Sequence, residues 1–126
     1  MNSLNATVLV VDDDRPLVAF ITTVLEEEAY VVQTAFNGHD GLNRAIESPP
    51  DLILMDLRMP IMDGWTCYRL LKQHQDTANI PVIVISADEA ETEVHSDLGA
   101  EYFLRKPFDI DDLLSNLRKY LGLPIP

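Results

Sequence analysis

The stretch Leu52-Ile53-Leu54-Met55-Asp56-Leu57-Arg58-Met59-Pro60-Ile61-Met62-Asp63-Gly64 decides the fold. Leu52 to Met55 are all apolar, and Asp56 follows without a break. A run that short and uninterrupted fits a strand buried on both faces, as in a parallel sheet. Asp56 then stands at the carboxyl end of that strand, where open α/β sheets bind ligands. Pro60 and Gly64 mark the loop beyond it. An acidic group at the rim of an apolar strand needs a cation, a metal or a hydrogen-bond donor.

Working outward, Val8 to Val11 is a second buried strand, ending in Asp12, Asp13 and Asp14. Asp14 is the expected N-cap of a helix, with Pro16 in its first turn. Leu17, Phe20, Ile21, Val24 and Leu25 give that helix its apolar face, and Glu26 to Glu28 close it on the solvent side. Tyr30 to Ala35 reads as a strand. Asn37-Gly38 reads as a turn, and Leu42, Ala45 and Ile46 as a short helix stopped by Ser48-Pro49-Pro50.

Beyond Gly64, Trp65 to His74 is an expected helix with Leu70 and Leu71 inward. Ile80 to Ile85 is a strand entered through Pro81. Asp88 to Asp97 is a short acidic helix with Val94 and Leu98 as its only clear inward candidates, stopping at Gly99. Glu101 to Leu104 is the last strand. Asp109 or Asp111 caps a final helix carrying Leu113, Leu114, Leu117 and Leu121. Five strands alternating with five helices predict an α/β fold, a doubly wound parallel sheet with right-handed crossovers and helices on both faces.

The chain has 126 residues, 47% of them hydrophobic and 24% charged, which predicts a single domain with a real core. Residues 122–126 read as a tail or the start of a linker. A net charge of −12 argues against direct nucleic-acid binding, since phosphate contacts need clustered Lys and Arg, but leaves a DNA-binding neighbour open. Clustered acid suits a divalent cation. Cys67 is the only cysteine, so no internal disulfide forms, and a buried structural thiol is expected. No apolar run approaches membrane-spanning length, no signal core precedes Thr7, and the expected location is the cytoplasm, away from membranes. His39, His74 and His95 are scattered and read as surface residues.

Parallel strands bring their carboxyl ends to one edge. That edge would carry Asp12 and Asp13 after the first strand, Asp56 after the third, Ser86 after the fourth and Lys106 after the fifth. Taken singly, Asp12 to Asp14 need only cap a helix and Asp56 need only begin a loop. Four coincident polar strand ends are harder to dismiss, because buried charge is rarely left unpaired. Carboxylates gathered there raise one another's pKa unless a cation intervenes. Lys106 supplies one positive charge against three negative ones, so a hard divalent ion is indicated beside it.

These residues resemble the receiver domain of two-component response regulators, the chemotaxis-regulator-like phosphoacceptor of a sensor histidine kinase. The matching pieces are Val-Leu-Val-Val-Asp-Asp-Asp (8–14), Leu-Met-Asp-Leu-Arg-Met-Pro-Ile-Met-Asp-Gly (54–64), Val-Ile-Ser-Ala (84–87) and Lys-Pro-Phe (106–108). They occur in the family's order from about Thr7 to Leu121. The resemblance implies a flavodoxin-like (βα)5 fold and a phosphoryl group accepted on Asp56. It implies Mg²⁺, with Mn²⁺ as the alternative, bound by Asp13, Asp56 and the backbone carbonyl of Arg58, with Asp12 assisting. The Ser86 hydroxyl, the Ala87 amide and Lys106 would hold the phosphoryl oxygens, and the Lys106-Pro107 peptide would be cis.

In the family the Ser/Thr hydroxyl moves toward the phosphoryl group and an aromatic residue of the last strand turns inward. The matching positions are Ser86 and Phe103. Phe103 lacks the hydroxyl of the frequent Tyr, and plain core packing is its alternative reading. Tyr102 should point to the opposite face. The fourth helix, last strand and last helix form the implied output face, through which a monomer could pair into a phosphorylation-dependent dimer. Arg58 and Asp88 flank the implied path of the attacking water. They either pair across the site mouth and tune phosphoryl lifetime, or are two solvated side chains. The implied partners are a sensor histidine kinase or phosphotransfer protein and an unknown output domain or protein. Two other readings compete. A phosphatase of the haloacid dehalogenase type also forms an aspartyl-phosphate, but wants an acid two residues on, where this chain has Arg58. A scaffold receiver that is never phosphorylated would have no need of Asp12, Asp13, Asp56, Ser86 and Lys106 together.

Overall fold

The computed structural model describes residues 5–87 and 102–123. Five strands lie among the described residues: β1 (Thr7–Val11), β2 (Val31–Ala35), β3 (Leu52–Asp56), β4 (Val82–Ser86) and β5 (Tyr102–Arg105). Among the described residues there are four helices: α1 (Arg15–Glu27), α2 (Gly38–Glu47), α3 (Gly64–Gln73) and α4 (Ile110–Leu121). The expected acidic helix from Asp88 to Asp97, Asp88 itself, His95 and the last three residues lie outside the described part.

All strand pairs are parallel, in the order β2-β1-β3-β4-β5. The three central strands are buried almost throughout, which is why their sequences lack the alternation of a half-exposed strand. Successive side chains still part to opposite faces. Val8, Val10, Leu52, Leu54, Ile83 and Ile85 pack with Val18, Ile21 and Leu25 of α1 and Leu113 and Leu117 of α4. Leu9, Val11, Ile53, Met55, Val82 and Val84 pack with Ala45 of α2 and Cys67, Tyr68 and Leu71 of α3. Among the described residues two helices cover each face, and the sheet is doubly wound as expected.

Side-chain oxygens start each helix. Asp14 Oδ1 accepts from the Leu17 amide at 3.1 Å, Asp63 Oδ1 from Thr66 at 2.8 Å and Asp109 Oδ1 from Asp111 at 2.9 Å. Asp109, not Asp111, is the last cap. Asn37-Gly38 is not a free turn: Asn37 caps α2, its Oδ1 accepting from the Asp40 amide at 2.8 Å, and Gly38 is the first helical residue.

Other boundaries shift for local reasons. Tyr30 belongs to the helix-ending turn, its amide bonded to the Leu25 carbonyl at 3.0 Å, so β2 begins at Val31. Ile80 stays in the loop before β4, where Lys72 Nζ holds the carbonyls of Ala78 at 3.1 Å and Ile80 at 2.9 Å. Phe20 is 52% exposed, because Val18, Ile21 and Leu25 form the stripe of α1 that meets the sheet. Leu70 is half-buried, while Cys67, Tyr68 and Leu71 take the inward positions of α3.

Gly64 fixes how closely α3 approaches β3. Its amide donates to the Leu57 carbonyl at 2.8 Å. A Cβ there would collide with the Asp56 carbonyl oxygen and lie 2.8 Å from Leu57 Cα. At an unconstrained helix position, Ala in place of Gly is stabilising. Gly64→Ala should instead lower the unfolding free energy by about 1–3 kcal/mol through overpacking against backbone. Urea unfolding checks this, and an unchanged or raised midpoint would contradict it.

Candidate functional site

The topology gathers the polar strand ends. The connection from β1 leads to β2 on one side and that from β3 to β4 on the other, so the switch point falls between β1 and β3. Val11 pairs with Met55, which sets Asp12 and Asp56 side by side at the next level. Asp56 pairs with Ile85, one residue before Ser86, and Ser86 pairs with Arg105, one residue before Lys106. Register alone thus places Asp12, Asp56, Ser86 and Lys106 on one edge.

Asp12 is fully buried, Asp56 is 7% exposed and Ser86 1%. Asp13 is exposed at the rim. Asp12, Asp13 and Asp56 each offer a carboxylate oxygen, and these atoms lie within 4.8 Å of one another. Lys106 Nζ donates to Asp12 Oδ2 at 2.9 Å and reaches Asp56 Oδ2 at 3.4 Å. The Asp14 amide donates to Asp12 Oδ1 at 3.0 Å, and the Leu57 amide to Asp56 Oδ1 at 2.8 Å. The Lys106 amide bonds the Ser86 carbonyl at 2.7 Å, which ties the lysine to the end of β4. The Lys106–Pro107 peptide is cis. Hard oxygen ligands at this separation suit a divalent cation.

The electrostatics carry the same demand. Burial pushes the Asp56 carboxyl up to about 6, the Asp12 charge adds to the rise, and Lys106 and the Leu57 amide only partly oppose it. Burial works against the charge of Lys106, but its hydrogen bond to Asp12 and the charges of Asp56 and Asp12 outweigh it and raise its pKa. One ammonium group leaves the cluster short of positive charge.

The loop after β3 is held at two points. Gly64 bonds the Leu57 carbonyl, and the Gly38 amide of α2 donates to the Met62 carbonyl at 2.9 Å. Between them the Met62 amide bonds the Pro60 carbonyl at 2.8 Å, and Ile61 has φ of 71°. This three-residue turn puts a β-branched residue in the left-handed region, a strained choice beside the carboxylates. The Ile61 side chain is 81% exposed. The sequence reading missed both the turn and the brace from α2; the Asn37-Gly38 pair was its one visible signal.

Arg58 follows Asp56 by two residues, its guanidinium 6.0 Å from the Trp65 ring centroid. Ala87 is exposed just past β4. Phe103 is half-buried and packs with the α2–α3 side of the core, whereas Tyr102 faces the other side, its ring centroid 6.4 Å from that of Tyr120. Cys67 is buried on α3, with its thiol pushed up to about 12 by burial and by Asp63, so it is inert.

The raised Asp56 pKa has a stability consequence whose sign is fixed. The fold favours the protonated form, so this group's contribution is intact below about pH 4 and is lost as pH rises through about 6. Above that range the ionised group costs up to about 3 kcal/mol in metal-free protein. In the presence of a chelator, Asp56→Asn should therefore stabilise the chain at pH 8, with the gain shrinking toward pH 4. Urea unfolding across that range checks it, and a pH-independent effect would contradict it.

Residues 8–118 match the family described as the response regulator receiver domain. The DNA-binding dual master transcriptional regulator RpaA of Synechocystis sp. is 35% identical over 116 residues, covering 90% of this chain and 48% of that protein. The response regulator ArlR of Staphylococcus aureus is 37% identical over 116 residues, covering 90% of this chain and 52% of its own length. The chain thus spans about half the length of these curated relatives. Among solved structures, the receiver domain of the sensor histidine kinase PA1611 from Pseudomonas aeruginosa superposes with a TM-score of 0.88 at 26% identity, over 94% of this chain and 98% of that one. That structure holds a magnesium ion coordinated in its active site cleft. No helix among the described residues is long and apolar enough to cross a membrane. With the family match running over residues 8–118, the chain belongs to the response-regulator receiver domains.

Proposed function

We propose that this domain is a phosphorylation-driven switch, charged on Asp56 by a phosphohistidine protein in the presence of Mg²⁺. The observation that carries the reading is the three-carboxylate cluster of Asp12, Asp13 and Asp56, its oxygens within 4.8 Å, with Lys106 Nζ bonded into it. Asp13, Asp56 and the Arg58 carbonyl would hold the ion, and Asp12 would assist while anchoring Lys106. Bound Mg²⁺, or Mn²⁺ in its place, supplies the charge neutralisation that Lys106 alone leaves incomplete.

A carboxylate oxygen of Asp56 attacks phosphorus. The new O–P bond forms as the donor's P–N bond breaks, and the electron pair leaves with the donor's imidazole. Such a transfer asks for alignment and charge stabilisation more than covalent machinery. Lys106 already sits between Asp12 and Asp56 and would turn to the phosphoryl oxygens, joined by the Ser86 hydroxyl and the Ala87 amide. The modification adds roughly −1.5 to −2 charge and three acceptor oxygens at the end of β3. Ser86, drawn toward that charge, would leave room for Phe103 to repack, carrying the signal to the face built from β5, α4 and the segment between β4 and β5. Asp88, proposed with Arg58 to tune phosphoryl lifetime, belongs to that segment.

The domain would act as a signalling module whose only chemistry is phosphotransfer to itself and hydrolysis of its own aspartyl-phosphate. Arg58, standing where a phosphatase of the dehalogenase type needs an acid, supports this. Residues 1–126 would form one receiver unit, with 122–126 a tail or the start of a linker to an output domain. The net charge of −12 argues against direct nucleic-acid contact by this domain. A DNA-binding output of the kind RpaA is named for, or a separate partner protein, would receive the signal, from a monomer or a phosphorylation-dependent dimer.

Acetyl phosphate with Mg²⁺ should add one phosphoryl group, read by intact mass. Asp56→Asn or chelation of the metal should reduce the product to background. A folded, Mg²⁺-bound chain that takes up no phosphoryl group would overturn the proposal in favour of a scaffold role.

A further inference from the structure

We infer that Gly38 is a positioning residue for the cation site: having no side chain, it lets the first turn of α2 hold the β3–α3 loop where the Arg58 carbonyl can serve the ion. The inference rests on the Mg²⁺ reading above and adds to it a residue remote in sequence, on a different helix.

The reason lies in how the loop is fixed. Residues 58–61 lie between two anchored carbonyls, Leu57, bonded by Gly64, and Met62, bonded by Gly38 at 2.9 Å. The tight turn at Ile61, with φ of 71°, leaves this short segment little slack. A shift at Met62 is therefore passed toward Arg58 and Asp56 rather than absorbed. The Gly64 anchor belongs to α3, the loop's own continuation. The Gly38 anchor comes from outside the loop, from α2.

Gly38 is needed for a steric reason. A Cβ at this position would collide with the Met62 carbonyl oxygen, lie 2.9 Å from the Met62 carbonyl carbon and 3.1 Å from the Asp63 carbonyl oxygen. All three atoms are backbone, so no rotamer change relieves the contact. The loop must back away, and the hydrogen bond that defines its position must lengthen with it. α2 itself is well founded, with Asn37 as its cap and Gly38, Gly41 and Ala45 buried, so the loop rather than the helix yields.

Removing the support of a metal ligand weakens metal binding by about tenfold or more. Gly38→Ala should accordingly raise the Kd for Mg²⁺ by about tenfold, measured by calorimetry and by Trp65 fluorescence. Ala45→Gly is the comparison: it loosens the same helix two turns farther along and should leave the Mg²⁺ Kd unchanged. Hydrogen exchange on the unaltered chain gives an independent reading. Saturating Mg²⁺ should slow exchange of the Gly38 amide, bonded to the loop, and not of the Ser48 amide at the far end of α2. A folded Gly38→Ala chain that binds Mg²⁺ as tightly as the unaltered one, or equal weakening by both variants, overturns the inference. Should Gly38→Ala not fold, unaltered Gly38 exchange under Mg²⁺ overturns it. Failure of the unaltered chain to bind Mg²⁺ would instead sink the cofactor reading, and this inference with it.

Discussion

One ammonium group facing two buried carboxylates, with a third at the rim, is the constraint on which this structure turns. Lys106 Nζ bonds Asp12 at 2.9 Å and approaches Asp56 at 3.4 Å in a site where neither acid is appreciably exposed. Burying paired charges brings little net stability, while leaving one unpaired is expensive. The cluster is therefore poised: Lys106 offsets part of its negative charge, yet burial and the neighbouring Asp12 still raise the Asp56 pKa to about 6. A divalent ion would supply the positive charge that Lys106 leaves short, and a phosphoryl group brought in with it would change the local charge by more than any rotamer change could.

Everything around the cluster serves to hold it still. The parallel register fixes Asp12 beside Asp56 and brings Ser86 and Lys106 to the same edge. The sheet is sealed on both faces, so the strand ends cannot slide without exposing apolar rows. The loop after Asp56 is clamped by two glycines whose side-chain space is taken by backbone, that of Asp56 and Leu57 at Gly64 and that of Met62 and Asp63 at Gly38. Strain at Ile61 and burial of Asp56 both sit at the site, where such departures concentrate; a second left-handed residue, Ala29 with φ of 69°, follows the end of α1.

Much of this was legible in the sequence. The apolar runs ending in Asp12, Asp56 and Ser86 are unambiguous because strands buried on both faces tolerate nothing else, and their order dictates a common edge. The acid triplet was legible as a cluster but not in its division of labour: Asp12 grips Lys106, Asp13 stays at the rim and Asp14 caps α1. What escaped was set by tertiary fit. Phe20 has helical spacing but falls outside the arc of α1 that meets the sheet. Asn37-Gly38 has turn composition, yet Gly38 is there because the Met62 carbonyl occupies the space of a side chain. The left-handed Ile61 contradicts its own intrinsic preference, so no local rule could find it.

The central claim is that Asp56, among three neighbouring carboxylates, is the one that becomes phosphorylated. Trapping the acyl phosphate with borohydride after exposure to acetyl phosphate and Mg²⁺, followed by peptide mapping, tests it directly. The account predicts reduction at Asp56 alone. Label at Asp12 or Asp13, or on a histidine, would contradict it.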